Sequence, residues 1–70
     1  MANINAHIAG IMSKIIVKTG DRVVEGQEVA IIESMKMQIP VISEVNGTVS
    51  QIKLAEGDFL NEGDVIMMLE

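Results

Sequence analysis

Apolar residues in this chain recur nearer to every second position than to the 3.6-residue period of a helix. Ile15 and Val17 alternate with Ile16 and Lys18, and Val49, Ile52 and Leu54 mark out a second β-branched stretch. Gly-Asp and Glu-Gly pairs interrupt these runs at regular intervals. Short β-branched runs separated by regular turn signals specify antiparallel strands of a sandwich or barrel. The spacing predicts strands over Ile4–Ala9, Ile11–Lys18, Arg22–Val24, Glu28–Ser34, Met37–Ile42, Gly47–Leu54, Asp58–Leu60 and Asp64–Leu69. A helix over Val23–Met37 is the only competitor, and Gly26 together with the Val29-Ala30-Ile31-Ile32 cluster weakens it.

The pattern occurs twice. Gly10–Glu33 aligns without gaps on Gly47–Glu70, matching Ser13 with Ser50, Gly20-Asp21 with Gly57-Asp58 and Glu25-Gly26 with Glu62-Gly63. The apolar positions match too, Val17 with Leu54, Val23 with Leu60, Val29 with Ile66 and Ile32 with Leu69. The expected fold is therefore all-β: a flattened barrel or sandwich of two small antiparallel sheets with a pseudo-twofold internal repeat, one domain over residues 1–70. Within that symmetry one copy carries a hairpin after Glu33, and the other supplies the chain ends.

Composition narrows what such a domain can do. The 70 residues contain no cysteine, which rules out disulfide staples, thiol nucleophiles and thiolate metal sites and suits a reducing compartment. Net charge is −5 and Phe59 is the only aromatic residue, so neither phosphate neutralisation nor base stacking is provided for, and nucleic acid is not an expected partner. No apolar run approaches the length of a membrane span, the N-terminus lacks the basic-then-apolar pattern of a secretory signal, and an anionic membrane surface would repel the chain. The expectation is a soluble cytoplasmic protein, monomeric on its own. His7 stands alone, and no Ser-His-Asp set or metal cluster can be built around it. Asp21, Asp58, Glu25 and Glu62 fall at repeat-related corners, where they are expected to accept hydrogen bonds from turn amides. Gly20, Gly26, Gly47, Gly57 and Gly63 are read as turn glycines with positive φ.

One segment departs from this economy. Glu33-Ser34-Met35-Lys36-Met37 lies between two predicted strands at the middle of the chain, yet turns favour Gly, Asn, Asp, Pro and Ser. A turn lysine is by default a solvated charge. Here methionine flanks it on both sides, a carboxylate stands at a fixed offset, and a duplicated frame holds the tip, so Lys36 reads as a residue displayed for modification. An ordinary lysine amine is almost wholly protonated at neutral pH, so such a residue is a poor nucleophile unaided.

Glu33-Ser34-Met35-Lys36-Met37 resembles the attachment motif of the biotinyl domains, and the Gly-Asp-x-Val-x-Glu-Gly frame, here Gly20–Gly26 and Gly57–Gly63, resembles that of biotinyl and lipoyl domains alike. The likeness spans nearly the whole chain. It implies the barrel-sandwich hybrid fold of those domains and covalent biotin on the Lys36 amine, with Met35, Met37, Glu33 and Ser34 serving recognition. Lipoyl domains usually carry Asp-Lys-Ala at the tip, so lipoate is the weaker cofactor reading. The implied partners are a biotin protein ligase, which loads Lys36, and the biotin carboxylase and carboxyltransferase of an acetyl-CoA, acyl-CoA or pyruvate type of carboxylase. The chain would then be a non-catalytic carrier. A lipoyl carrier and an unmodified interaction domain on the same fold stand as alternatives. Prolines that many biotinyl domains place before the two framing glycines are absent here, the chain reading His7-Ile8-Ala9-Gly10 and Glu44-Val45-Asn46-Gly47, and Pro40 instead follows the tip. There is no room for the extra thumb loop of certain bacterial carriers.

Overall fold

The structure, a computed structural model, describes all 70 residues. Eight strands form in order: β1 (Ala2–Asn5), β2 (Gly10–Ile15), β3 (Arg22–Val23), β4 (Glu28–Ser34), β5 (Met37–Ile42), β6 (Gly47–Ile52), β7 (Phe59–Leu60) and β8 (Val65–Leu69). They make two four-stranded antiparallel sheets, ordered β1-β8-β6-β3 and β5-β4-β2-β7. No helix forms, and β4 and β5 run over the residues predicted for them. The expected all-β sandwich is what the chain adopts.

The two sheet orders interconvert when β1 is exchanged with β5, β2 with β6, β3 with β7 and β4 with β8. The repeat therefore extends further than the sequence showed, taking in β1 and β5, where matched residues such as Ile4 and Val41 share little beyond being apolar. Each sheet holds strands of both copies. The core follows the same pairing: Met12 and Val49, Val23 and Leu60, Val29 and Ile66, Ala30 and Met67, and Ile32 and Leu69 are all buried. Unbranched methionine fills the irregular space between the sheets at two of these positions.

Several strand ends differ from expectation. The first strand was expected over Ile4–Ala9 and runs over Ala2–Asn5, because Ala2, Asn3 and Ile4 pair with Leu69, Met68 and Met67. Ala6 is instead held by a turn, its N–H donating to the Asp64 carbonyl and its own carbonyl accepting from Gly63, both at 2.8 Å. β2 and β6 stop three and two residues short of the predicted ends, at Ile15 and Ile52, where the backbone departs toward the next turn.

Four turns of one design set the corners: Lys18–Asp21, Val24–Gln27, Ala55–Asp58 and Asn61–Asp64. In each, the fourth residue's N–H donates to the first residue's carbonyl at 3.0–3.1 Å. In each, the fourth side chain accepts the first residue's N–H, at 3.0 Å for Asp21, 3.1 Å for Gln27, 2.9 Å for Asp58 and 2.8 Å for Asp64. The third residue is glycine with φ of 90–95°, as a type II turn requires. Asp21 and Asp58 thus do what was expected of them. Glu25 and Glu62 do not: the acceptor is the residue after the glycine, so Gln27 and Asp64 take that place. Gly47 also has another reason than positive φ, since a Cβ there would lie 3.0 Å from the Glu70 carbonyl oxygen and from the Leu69 Cβ.

Candidate functional site

Ser34 pairs with Met37, leaving Met35 and Lys36 as the two loop residues of the β4–β5 hairpin. Their φ values are +51° and +64°. Positive φ at both positions is the type I′ turn, whose twist matches that of the flanking strands and which Asn-Gly or Gly-Gly fills at little steric cost. Met and Lys fill it here. An L-residue in this conformation brings its Cβ against the following carbonyl at about 1–2 kcal/mol apiece. Such strain persists where the surrounding structure over-determines it, and it concentrates at functional positions. The determining structure is β4, the longest strand, hydrogen-bonded on one side to β5 and on the other to β2.

All three residues of the tip are exposed: Lys36 together with Met35 at 90% and Met37 at 63%. None of the side-chain hydrogen bonds in the fold involves Lys36 or Glu33. The amine stands clear of the protein. Ser34 is half-buried at the end of β4. Glu33 is exposed on the outer face of its sheet, opposite Gln38 of β5 and Ile11 of β2, and Ile11 is in turn opposite Phe59 of β7. Gln38 is anchored across the face by the Ser13 hydroxyl, which donates to its Oε1 at 2.8 Å.

Beside Glu33 the strands approach as closely as backbones can. A Cβ on Gly10 would run into the Glu33 carbonyl oxygen and the Ile32 side chain, so only glycine lets β2 lie here. The base of the hairpin is thereby clamped from the β2 side.

The structure brings Glu33, Ser34, Met35, Lys36 and Met37 together as one protruding tip. Neighbours on other strands, Ile11 of β2 and Phe59 of β7, could not be assigned to it from the sequence, because their adjacency depends on register. No pocket forms at the tip. The surface depressions lie elsewhere, between β1 and β5, lined by residues such as Asn5, Ile42 and Glu44, with His7 beside one of them. No three His, Asp or Glu side chains stand close enough to hold a metal ion. What the turn presents is a primary amine that is exposed and free of side-chain hydrogen bonds.

Comparison with known proteins bears on that chemistry. A biotin/lipoyl family model, described as biotin-requiring enzyme, matches residues 1–69. The chain is 50% identical over 66 residues to the biotin/lipoyl attachment protein of Bacillus subtilis (strain 168), a match covering 94% of this chain and 90% of that protein. It is 43% identical over 61 residues to the human mitochondrial propionyl-CoA carboxylase alpha chain, covering 87% of this chain and 8% of that one. Among solved structures, the urea carboxylase of Kluyveromyces lactis superposes with a TM-score of 0.91 at 29% identity, over 99% of this chain and 6% of the carboxylase. The chain thus spans nearly all of the short relative and under a tenth of the two carboxylases.

Proposed function

The chain belongs to the biotin/lipoyl attachment family, and from that premise we propose that it is a biotin carboxyl carrier: Lys36 is acylated with biotin by a biotin protein ligase, and the arm so formed serves the biotin carboxylase and carboxyltransferase of a biotin-dependent carboxylase. The single observation that carries this reading is the Met35-Lys36 turn, two non-glycine residues held at positive φ with the lysine amine exposed and without a hydrogen-bond partner. The likeness to segments of propionyl-CoA carboxylase and urea carboxylase supports the carboxylase as the setting.

The tip fits such a group. Amide formation needs a free ε-amine that an active site can surround, and the hairpin offers one with no neighbouring side chain bonded to it. When bound, biotin supplies a ureido nitrogen that takes up and gives up a carboxyl group. The protein's own contribution is mechanical. Two sheets hold the turn in one orientation, the flexible lysine stem provides reach, and tethering raises the effective concentration of the arm at any site the domain visits. Chemistry is assigned to the partners, and to this chain the role of a non-catalytic carrier. The cytoplasm is the setting we assign, on the strength of a sequence without cysteine.

Intact-mass measurement after co-expression with a biotin protein ligase tests the reading. One biotinyl addition is expected on the wild-type chain and none on Lys36→Ala. A lipoyl addition instead, with no streptavidin binding, would establish the lipoyl carrier. A wild-type chain left unmodified by ligases of both kinds would overturn the carrier reading and support the unmodified interaction domain.

A further inference from the structure

The internal repeat gives this protein its own control: positions the fold requires are alike in both copies, and positions where they differ are free to serve something else. Beside the lysine tip, the outer face of the β5-β4-β2-β7 sheet presents the row Gln38, Glu33, Ile11 and Phe59. The repeat-related row on the other sheet is Met1, Glu70, Thr48 and Arg22, in which Arg22 pairs with Thr48 and Thr48 exchanges backbone hydrogen bonds with Glu70. The glutamates match. Ile11 and Phe59, however, stand where the second copy has Thr48 and Arg22.

Neither apolar residue serves the core. Ile11 is 41% exposed and Phe59, the sole aromatic of the chain, is 65% exposed. The backbone accepts polar side chains at these positions, as the other copy demonstrates. An exposed Ile-Phe pair, with the phenylalanine on a two-residue edge strand, is a cost in solubility that a bare scaffold would avoid. Ile11 and Phe59 thus put exposed apolar surface on the sheet face beside the lysine hairpin, next to the carboxylate of Glu33.

The geometry points to this row as the docking surface for the enzyme that acylates Lys36, an inference that rests on reading Lys36 as a loading site. The loading enzyme is the fitting occupant because of reach. It must surround the lysine amine itself, one side chain's length from the turn, so its surface closes over the adjoining strands, which follow one another at about 4.8 Å. A carboxylase needs only the far end of the loaded arm and can act from a greater distance. Complementarity specifies the matching surface: an apolar patch for Ile11 and Phe59, with a cation facing Glu33. Aromatic residues at the centre of such contacts carry a large share of the binding energy.

The double variant I11T/F59R tests this by giving the lysine-bearing copy the side chains its counterpart carries at the same backbone positions. The control is T48I/R22F, which changes the other face in the reverse sense. Three quantities are measured on each full chain: the melting temperature, the rate at which a small acylating reagent labels Lys36, and kcat/KM for loading by purified biotin protein ligase. The inference expects I11T/F59R to keep its fold and its Lys36 reactivity while losing about tenfold or more in ligase kcat/KM, with T48I/R22F loaded at the wild-type rate. Wild-type loading of I11T/F59R would overturn the docking surface while leaving the carrier reading intact. Equal losses in both variants would overturn it as well, by showing a general surface effect. If wild type itself is not loaded, the carrier reading fails first and takes the docking surface with it.

Discussion

Met35 and Lys36 share a conformation that their side chains disfavour, and this is the feature of the site most open to measurement. Replacing the pair by Asn-Gly (M35N/K36G) suits the type I′ turn and is expected to stabilise the protein by about 1–2 kcal/mol. In urea titrations the midpoint should rise at an unchanged slope, which separates a stability change from a change in the unfolded ensemble. A midpoint that stays put or falls would show that the tip is not strained. The attachable amine is lost in the same variant, so stability and loading move in opposite directions. Sequence alone showed that Met-Lys-Met is an odd filling for a turn. It could not show positive φ, because that follows from the pairing of Ser34 with Met37, which leaves two residues and no more to close the hairpin.

Among the elements, the four glycine turns are the joints on which the sheets depend, and they separate two readings of the same motif. Each joint combines a backbone hydrogen bond with a side-chain acceptor on the residue after the glycine. Asp58→Ala removes such an acceptor and is expected to cost about 1 kcal/mol, as for the loss of an ordinary intramolecular hydrogen bond. Glu62→Ala, at the glutamate that precedes a glycine, is expected to change stability by less than about 0.5 kcal/mol. Thermal melts of the two variants check the contrast, and equal losses would contradict the turn geometry. The turn sites themselves were legible, since glycine is the default where φ must be positive. Which neighbour supplies the acceptor was not, because Gly57 and Gly63 have an acidic residue on each side, Gly26 has Glu25 before it and Gln27 after it, and only the closed turn brings one side-chain oxygen to the open N–H.

At the scale of the whole molecule, the decisive fact is that the two copies interleave. β1 and β3 of the first copy lie in one sheet with β6 and β8 of the second, so neither copy owns a sheet or a core. Residues 1–35 and 36–70, prepared as separate peptides, are each expected to lack cooperative unfolding, whereas the equimolar mixture should regain a cooperative thermal transition by circular dichroism. A cooperative melt from either half alone would show that interleaving is not required for folding. What the sequence determined is local: β-branched alternation set the strands, glycine and acidic residues set the corners, a gapless repeat set the symmetry, and one misplaced lysine marked the tip. All of these are written within a few neighbouring residues, where backbone preference and side-chain chemistry act directly. Tertiary structure alone decided which strands pair, that the repeat reaches β1 and β5, and that Ile11 and Phe59 flank the lysine hairpin. Those outcomes depend on contacts between residues far apart in the chain, and a strand's own pattern says which face is buried but not which neighbour covers it.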